Sequence, residues 1–146
     1  MFQLEFPDGW QLDLEFDPAR EDADAVQPPR VVEATPTDGS KLWLGTWVVT
    51  EIDEIIKART YFESLESFVF KDVMIERSRS EQHNNMPALI LSGRAKKGSE
   101  AVQWDMVFFQ PQENIVAAFL LIGVPEVRSR RKRELQAMIQ SLRPVP

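Results

Sequence analysis

The sequence predicts an α+β fold in which helices pack on a mostly antiparallel sheet of about six to seven strands. Two observations carry this prediction. Several short segments alternate apolar and polar residues with period two, as half-buried strands do, and two longer segments repeat apolar residues with helical period. The gaps between successive strand segments are short, which favours antiparallel neighbours. A chain of 146 residues has the size of one domain, so we expect a single domain over residues 1–146.

The first part of the chain predicts three strands and one long loop. Residues 2–6 and 10–16 alternate apolar and polar side chains, and residues 7–9 have turn chemistry, so these two strands are expected to form a hairpin. Residues 17–29 are acidic, contain adjacent prolines and lack apolar periodicity, which predicts a mobile surface loop. A short strand is expected at residues 30–34.

The middle of the chain predicts a buried strand followed by a helix. Residues 42–49 carry apolar side chains on both faces, which is typical of a central strand or a sheet covered on both sides. Thr50 or Asp53 is expected to cap a helix that runs to about Ser67. The apolar face of this helix is expected to comprise Ile52, Ile55, Ile56, Phe62 and Leu65.

The second half predicts a four-strand meander and a C-terminal helix. The strands are expected at residues 71–77, 88–95, 101–109 and 115–122. Pro125 suits the first position of the helix, where its missing N–H costs nothing. The buried stripe of this helix is expected to comprise Val127, the aliphatic stem of Arg131, Leu135, Met138, Ile139 and Leu142.

Residue types that catalyse reactions or hold cofactors are scarce. The chain has no cysteine, and so no disulfide, thiolate metal ligand or cysteine nucleophile. His83 is the sole imidazole, no Gly-x-Ser-x-Gly elbow accompanies it, and an exposed loop histidine is expected. The carboxylate pairs Asp13/Glu15 and Glu63/Glu66 lie on polar faces, where solvation is their ordinary role. Because glycine-rich phosphate loops and EF-hand spacing are also absent, we expect no enzyme, no cofactor and no metal site.

Charge is distributed unevenly along the chain, whose net charge is −6. Residues 1–40 contain ten acidic residues and two arginines, so this segment carries −8 and the remainder +2. Such charges are usually solvated, and the alternative is a charged partner or a self-complementary homodimer. Nucleic acid is disfavoured because the chain is acidic and the basic run lacks interleaved aromatics. That run lies in six positions of the C-terminal helix and comprises Arg128, Arg130, Arg131, Lys132 and Arg133.

Two predicted strands carry aromatic stripes. Trp43 and Trp47 share one face of residues 42–49, and Trp104 and Phe108 share one face of residues 101–109. Such stripes are usually core packing beneath a helix. The alternative is an apolar groove that receives a helix or peptide, since several strands are apolar on both faces and only two helices are predicted to cover them. The candidate partner-binding residues are therefore Trp43, Trp47, Trp104, Phe108, Arg128, Arg130, Arg131 and Arg133.

The N-terminal residues do not have the pattern of a secretion signal. Residues 1–6 alternate and carry a charge, in place of a basic region followed by an apolar run. The longest apolar run, residues 115–124, is far shorter than the ~20 residues that span a bilayer. We therefore expect a cytoplasmic protein without stable membrane insertion; a periplasmic protein or lipoprotein is the alternative if a leader was removed.

The order of the predicted elements is hairpin, strands, helix, four-strand meander and C-terminal helix. With the opening sequence Phe-Pro-Asp-Gly-Trp at residues 6–10 and the ending Met-Ile-Gln-Ser-Leu-Arg-Pro at residues 138–144, this order resembles the PsbP/Mog-like α/β/α sandwich. That fold includes the photosystem subunit PsbP, the Ran-binding Mog protein, bacterial DcrB-like lipoproteins and the Eag chaperones of type VI secretion. The chain is most similar to the Eag chaperones in size and ending.

The resemblance implies a non-enzymatic binding role. The Eag chaperones are cytoplasmic dimers that hold apolar effector segments on the sheet. We therefore expect a chaperone-like or adaptor-like module that holds an apolar segment of a protein partner on its sheet face and forms a homodimer. Two alternatives stay open: an envelope domain that binds a small ligand or lipid, and an immunity-type inhibitor whose acidic first forty residues neutralise a basic toxin.

Overall fold

A computed structural model of the protein describes residues 2–6, 8–15, 31–69 and 71–144. The predicted loop at residues 17–29 lies outside the described residues. Within them the chain forms nine strands, one 3₁₀ turn and three α-helices. In chain order these are β1 (Phe2–Gln3), β2 (Trp10–Glu15), β3 (Val31–Pro36), β4 (Leu42–Val49), the 3₁₀ turn (Ile55–Lys57), α1 (Ala58–Val69), β5 (Lys71–His83), β6 (Met86–Lys97), β7 (Glu100–Gln112), β8 (Ile115–Gly123), α2 (Pro125–Arg130), α3 (Lys132–Ser141) and β9 (Arg143–Pro144).

Seven of these strands form one antiparallel sheet in the order β2-β3-β4-β8-β7-β6-β5. The α+β fold predicted from the sequence is confirmed, and so is the antiparallel meander from β5 to β8. The meander strands are longer than predicted: β5 continues from residue 77 to His83, and β7 continues from residue 109 to Gln112. β4 and β8 pair over their full lengths at the centre of the sheet, with Trp43 opposite Ile122 and Val49 opposite Val116.

Both faces of the sheet are apolar, and a helix packs on each. On the first face, which we call the α1 face, Phe62 of α1 stacks on Trp104 with ring centroids 5.0 Å apart. On the opposite face, which we call the α3 face, Leu135 and Met138 of α3 pack on Phe119 and other strand residues. Because successive strand residues point to opposite faces, β8 contributes to both cores and is almost entirely buried. The molecule is therefore a sandwich of helix, sheet and helix.

The predicted N-terminal hairpin was wrong. β1 pairs with β9 at the C-terminal end of the described chain, with Phe2 opposite Pro144, and β2 pairs with β3. Contacts along the N-terminal segment hold it against α3 and the α3 face. Among them, the Glu5 N–H donates to the Ser141 hydroxyl at 2.9 Å, and Leu4 packs on the core of the α3 face. Phe6 packs on the same core, so Leu4 and Phe6 are both partly buried on the α3 face.

The start of the first helix also differs from the prediction. Neither Thr50 nor Asp53 caps α1; a 3₁₀ turn precedes the helix, and its N-cap residue Glu54 makes no side-chain cap bond. Asp53 instead accepts a bond of 2.7 Å from Lys57. A 3₁₀ turn has three residues per turn and shifts the apolar stripe, which leaves Ile56 82% exposed rather than buried as predicted. The side chain of the predicted stripe residue at position 65 lies outside the described side chains.

The C-terminal helix begins at Pro125 as predicted and is divided in two. Arg131 has φ −104° and ψ 14°, which ends α2 and starts α3. The predicted buried stripe is confirmed at four positions, and its other two members, Arg131 and Ile139, are half-buried. Val127, Leu135, Met138 and Leu142 are buried, and Ile139 packs at the margin of the same core.

Candidate functional site

Two of the four candidate aromatic residues lie in the core beneath α1. Trp104 and Phe108 have no exposed surface. Phe62 covers Trp104, and the ring of Tyr61 meets Phe108 edge-on at 5.8 Å. In this structure Trp104 and Phe108 therefore pack the sheet against α1 and offer no surface to a partner. The sequence shows an aromatic stripe, but the stripe itself does not say where α1 crosses it.

The two tryptophans of β4 lie at the margin of α1. Trp47 is 8% exposed, and its indole N–H donates to the Tyr61 hydroxyl at 3.3 Å. Partial burial raises the pKa of that hydroxyl. Trp43 is half-buried and its ring lies flat against Gly45, since a Cβ at position 45 would lie only 2.4 Å from the ring. Of the four aromatic candidates, Trp43 presents a partly open face.

Trp43 forms one wall of a recess of about 290 Å³ at the end of the sheet where β4 begins. We call this recess the Trp43 pocket. Val102 and Ile122 provide the other apolar walls. Lys97 and an ion pair between Lys41 and Glu100, with N–O distance 2.9 Å, lie at its rim. The pocket can hold one small apolar group, and its rim carries charges of both signs.

Two arginines of the candidate basic surface form ion pairs within the chain. Arg128 is largely buried, forms an ion pair with Asp105, and has a pKa lowered by burial. Arg131 pairs with Asp38 and with Glu134, the latter at 2.8 Å. The Arg131 guanidinium also lies 5.9 Å from the centre of the Trp10 ring, within the range of a cation–π contact. Both arginines thus hold the helices against the sheet.

The remaining cations of this run face solvent. Arg130, Lys132 and Arg133 are exposed and have no ion-pair partner among the described residues. The ion pair of Asp38 with Arg131 also joins the acidic first forty residues to the basic helix within one chain. The predicted basic surface is therefore reduced to these three side chains.

The larger recess lies at the opposite end of the α1 face. We call it the Ile56 groove; its volume is about 540 Å³. Ile55, Ile56 and Arg59 form the wall on the helix side, and Ser80, Gln82 and Leu89 form the wall on the strand side. The exposed side chain of Ile56 stands at this groove, and sequence periodicity missed it because the 3₁₀ turn moves it off the buried stripe.

The strand beside this groove forms one edge of the sheet. β5 follows β6 in the strand order, and no described strand pairs with its outer side. Its pairing with β6 is interrupted twice, between Lys71 and Met74 and between Ile75 and Arg77. From Arg77 to His83 every residue pairs in unbroken register. The regular half of the edge is thus the half that lines the Ile56 groove.

The end of the β5–β6 hairpin holds the C-terminal end of α3. His83 is half-buried rather than fully exposed, and its Nε2 donates to the Ile139 carbonyl at 2.7 Å. The Asn84 side-chain amide donates to the carbonyls of Gln140 at 2.9 Å and Leu142 at 2.6 Å. These carbonyls end a helix and need donors from elsewhere. The sole histidine is therefore part of a helix cap.

The described part of the chain contains no group of three His, Asp or Glu residues arranged to hold a metal ion. None of the helices described here is long and apolar enough to cross a membrane.

No protein-family model matches the chain, and no curated protein sequence matches it. Solved structures do resemble it. The solution structure of cyanobacterial PsbP (CyanoP) from Synechocystis sp. PCC 6803 aligns with TM-score 0.67 and 10% identity, covering 99% of this chain and 86% of that one. PA94 from Pseudomonas aeruginosa, a protein of unknown function, aligns with TM-score 0.60 and 14% identity, covering 98% and 91%.

A third similar structure is LpqN of Mycobacterium tuberculosis, which is involved in cell envelope biogenesis. It aligns with TM-score 0.56 and 11% identity, and the alignment covers 99% of this chain and 83% of LpqN. Identities this low show the fold alone. The chain therefore has a PsbP-like α+β fold, and none of these three structures singles out the DcrB-like or Eag proteins.

Proposed function

We propose that this protein is a non-enzymatic binding module, of chaperone or adaptor type, that holds an apolar segment of a protein partner in the Ile56 groove. The observation that carries the proposal is the groove itself, with an isoleucine that is 82% exposed at its wall. Its volume of about 540 Å³ falls within the range of about 300–1,000 Å³ typical of small-molecule clefts, which is room for one or two apolar side chains of a bound segment.

The chemistry of the groove suits an apolar segment. Fully burying an isoleucine side chain contributes about 1.5–3 kcal/mol relative to leaving it in water, so a partner that covers Ile56 gains much of that free energy. Ile55 and Leu89 extend the apolar surface, while Arg59, Ser80 and Gln82 supply polar groups that orient what is bound.

The surroundings of the groove also favour binding over catalysis. The sole histidine donates to the Ile139 carbonyl at the end of α3 and is engaged in capping that helix. Glu81 is the one acidic residue that lines the groove, and its carboxylate is turned to the α3 face, where it lies 3.6 Å from Arg79 as an ion pair. An acid–base mechanism requires a second, positioned proton carrier.

The proposal is tested by titrating the protein with a fluorescent peptide that contains three consecutive leucines. Ile56→Glu should weaken binding at least about tenfold, because the lost burial corresponds to 1.4 kcal/mol or more. Met74→Glu is the matched control, since Met74 is 56% exposed on β5 but does not line the groove. Equal affinity of both variants and the native protein would exclude the groove as the binding site.

The Trp43 pocket favours a second candidate function, the binding of a small ligand or lipid chain. Its apolar walls suit a short acyl chain, and the ammonium group of Lys97 at its rim suits an anionic head, while Lys41 is paired with Glu100. Decanoate is a suitable probe. If this function is correct, Trp43→Ala weakens decanoate binding measured by calorimetry, while Ile56→Glu leaves it unchanged.

A further inference from the structure

We infer that the segment held in the Ile56 groove binds as an extended strand added to the free edge of β5, and that it alternates apolar with acidic side chains. This inference rests on the function proposed above and specifies the conformation and chemistry of the partner segment.

The edge of β5 offers unused backbone hydrogen-bonding groups. β5 is the last strand of the sheet, and no described strand pairs with its outer side. An edge strand presents a row of outward N–H and C=O groups that an extended peptide can bind. Strand addition therefore gives affinity through the backbone and leaves side chains to select the partner.

Irregularities restrict this pairing to one half of the strand. The interruptions on either side of Met74 and Ile75 break the ladder, and the backbone there bends so that the Met74 carbonyl would lie 1.8 Å from a Cβ at Gly93. Bulges of this kind twist an edge away from pairing. The stretch from Arg77 to His83 keeps a regular register with β6. This unprotected half is the one beside the Ile56 groove.

Alternation along β5 determines what an added strand would meet on each face. Ser78 lies opposite Leu91 and Ser80 opposite Leu89, so both serines point to the α1 face, where the groove is. Serine side chains are short, so a strand added at the edge of β5 can reach the groove past them. Apolar residues of the added strand that point to this face would pack against Ile56 and Leu89.

The charges along this edge favour acidic residues at the alternate positions. Arg77 and Arg79 point to the α3 face. Arg77 has no ion-pair partner among the described residues, and Arg79 is 68% exposed with Glu81 at 3.6 Å. Arg59 at the groove pairs with Glu63 at 3.5 Å. On the α3 face of the edge, Arg77 and Arg79 against Glu81 leave a net positive charge. Opposite charges on facing strand positions favour pairing by a factor of up to about five per pair.

The test uses capped hexapeptides as probes, with binding measured by fluorescence anisotropy on the full chain. A peptide that alternates leucine and glutamate should bind more tightly than one that alternates leucine and lysine. The double variant Arg77→Glu/Arg79→Glu should reverse this preference. Two further peptides carry N-methyl groups on all leucines or on all glutamates. Because alternate N–H groups face the sheet, one of these two peptides should lose binding about tenfold or more and the other should not.

The controls separate this inference from the function on which it rests. Ile56→Glu should abolish binding of the leucine–glutamate peptide, while Met74→Glu in the bulged half should not. Suppose that Ile56→Glu abolishes binding but both N-methylated peptides bind as well as the unmethylated peptide. The groove then holds apolar segments without strand addition, so the inference is overturned and the proposed function stands. If no peptide binds, or Met74→Glu weakens binding as much as Ile56→Glu, both are overturned.

A second copy of this chain is the other occupant that the edge could accept. Light scattering decides this point. If the protein forms a dimer that Ile56→Glu dissociates, and the peptides bind only in competition with that dimer, then the edge pairs with itself and the inference of a foreign segment is overturned. A dimer unaffected by Ile56→Glu, together with N-methyl-sensitive peptide binding, supports the inference.

Discussion

Asp38 joins the turn between β3 and β4 to the helix layer of the α3 face. Its carboxylate accepts hydrogen bonds from the hydroxyl and the backbone N–H of Ser40, the latter at 2.9 Å, and it pairs with Arg131. These bonds, led by that of the Ser40 side chain, lower the pKa of Asp38 from its ordinary 3.8 to about 2. A carboxylate bound in this way favours the folded state when it is ionised.

The sign of the resulting pH dependence follows from linkage. Because the folded pKa of Asp38 lies below the unfolded pKa, its contribution to stability is fully present above pH 3.8 and is lost as the pH falls through about 2. Asp38→Asn should therefore be less stable than the native protein in urea at pH 7, and this difference should shrink between pH 4 and pH 2. Arg131→Gln should keep most of the pH dependence, since Ser40 is the main cause. A constant difference across this range would contradict the assignment.

Asn84 contributes to stability through its backbone conformation and through its side-chain hydrogen bonds, and one substitution alone would not separate the two contributions. Its φ of 48° lies in the left-handed region, and its side chain caps α3 through two carbonyls. Asn84→Gly keeps the backbone conformation and removes the bonds, whereas Asn84→Ala also introduces backbone strain. We expect a loss of about 1–3 kcal/mol in unfolding free energy for glycine and a larger loss for alanine. Asn85→Gly, at φ 65°, is the control and should be nearly neutral. A neutral Asn84→Gly variant would show that the cap contributes little.

At the level of elements, the strands predicted most accurately are those whose own sequence is apolar throughout and therefore requires burial on both faces. β4 was predicted at its observed bounds, and β8 to within one residue, because their unbroken apolar sequences demand a covered sheet. The second half of β5 was missed because it contains no apolar alternation; it is a strand only because β6 pairs with it. The hairpin error has the same cause, since the partner of β1 lies at the other end of the sequence.

The candidate site was predictable only in part. Sequence patterns identified the aromatic stripes, of which Trp43 alone has a partly open face, and the arginines that face solvent. They did not identify the Ile56 groove, because helical periodicity placed Ile56 on the buried face. The 3₁₀ turn that exposes it is fixed by tertiary contacts, among them the Ile55 N–H that donates to the Gln110 side chain at 3.3 Å.

Gly45 in β4 gives the clearest test of packing within an element. A Cβ at this position would lie 2.4 Å from the Trp43 ring, so Gly45→Ala must displace the indole. We expect a loss of about 1–3 kcal/mol, as overpacking of a core usually costs, together with a change in tryptophan fluorescence. In a Trp43→Ala background the same substitution should cost much less, because the clash is gone. If Gly45→Ala lowers the unfolding free energy equally in both backgrounds, the Trp43 ring does not contact Gly45.

At the level of the whole molecule, two sequence observations are accounted for within one chain: the apolar strand faces that suggested a groove and the uneven charge that suggested a homodimer. Helices cover both apolar faces in the described residues, and Asp38 binds Arg131 of the basic helix. Self-association stays a prediction, which now depends on the exposed cations. We expect Arg130→Glu/Arg133→Glu to weaken a dimer, and more so at low salt, because exposed ion pairs are screened. Arg131→Glu should instead destabilise the fold. Light scattering that reports a monomer at high concentration would exclude the dimer.

The pairing of β1 with β9 brings the two ends of the described chain side by side, with Gln3 opposite Arg143. In topological terms the described backbone is almost a closed ring that is cut once, between β9 and β1. The order of the elements along the sequence then depends on where the ring is cut, and the same sandwich can form from a different order. A short linker between the ends and a new cut at the β6–β7 turn, where Gly98 has φ 65° and a Cβ would meet open space, would give a permuted chain with the same neighbours in the sheet.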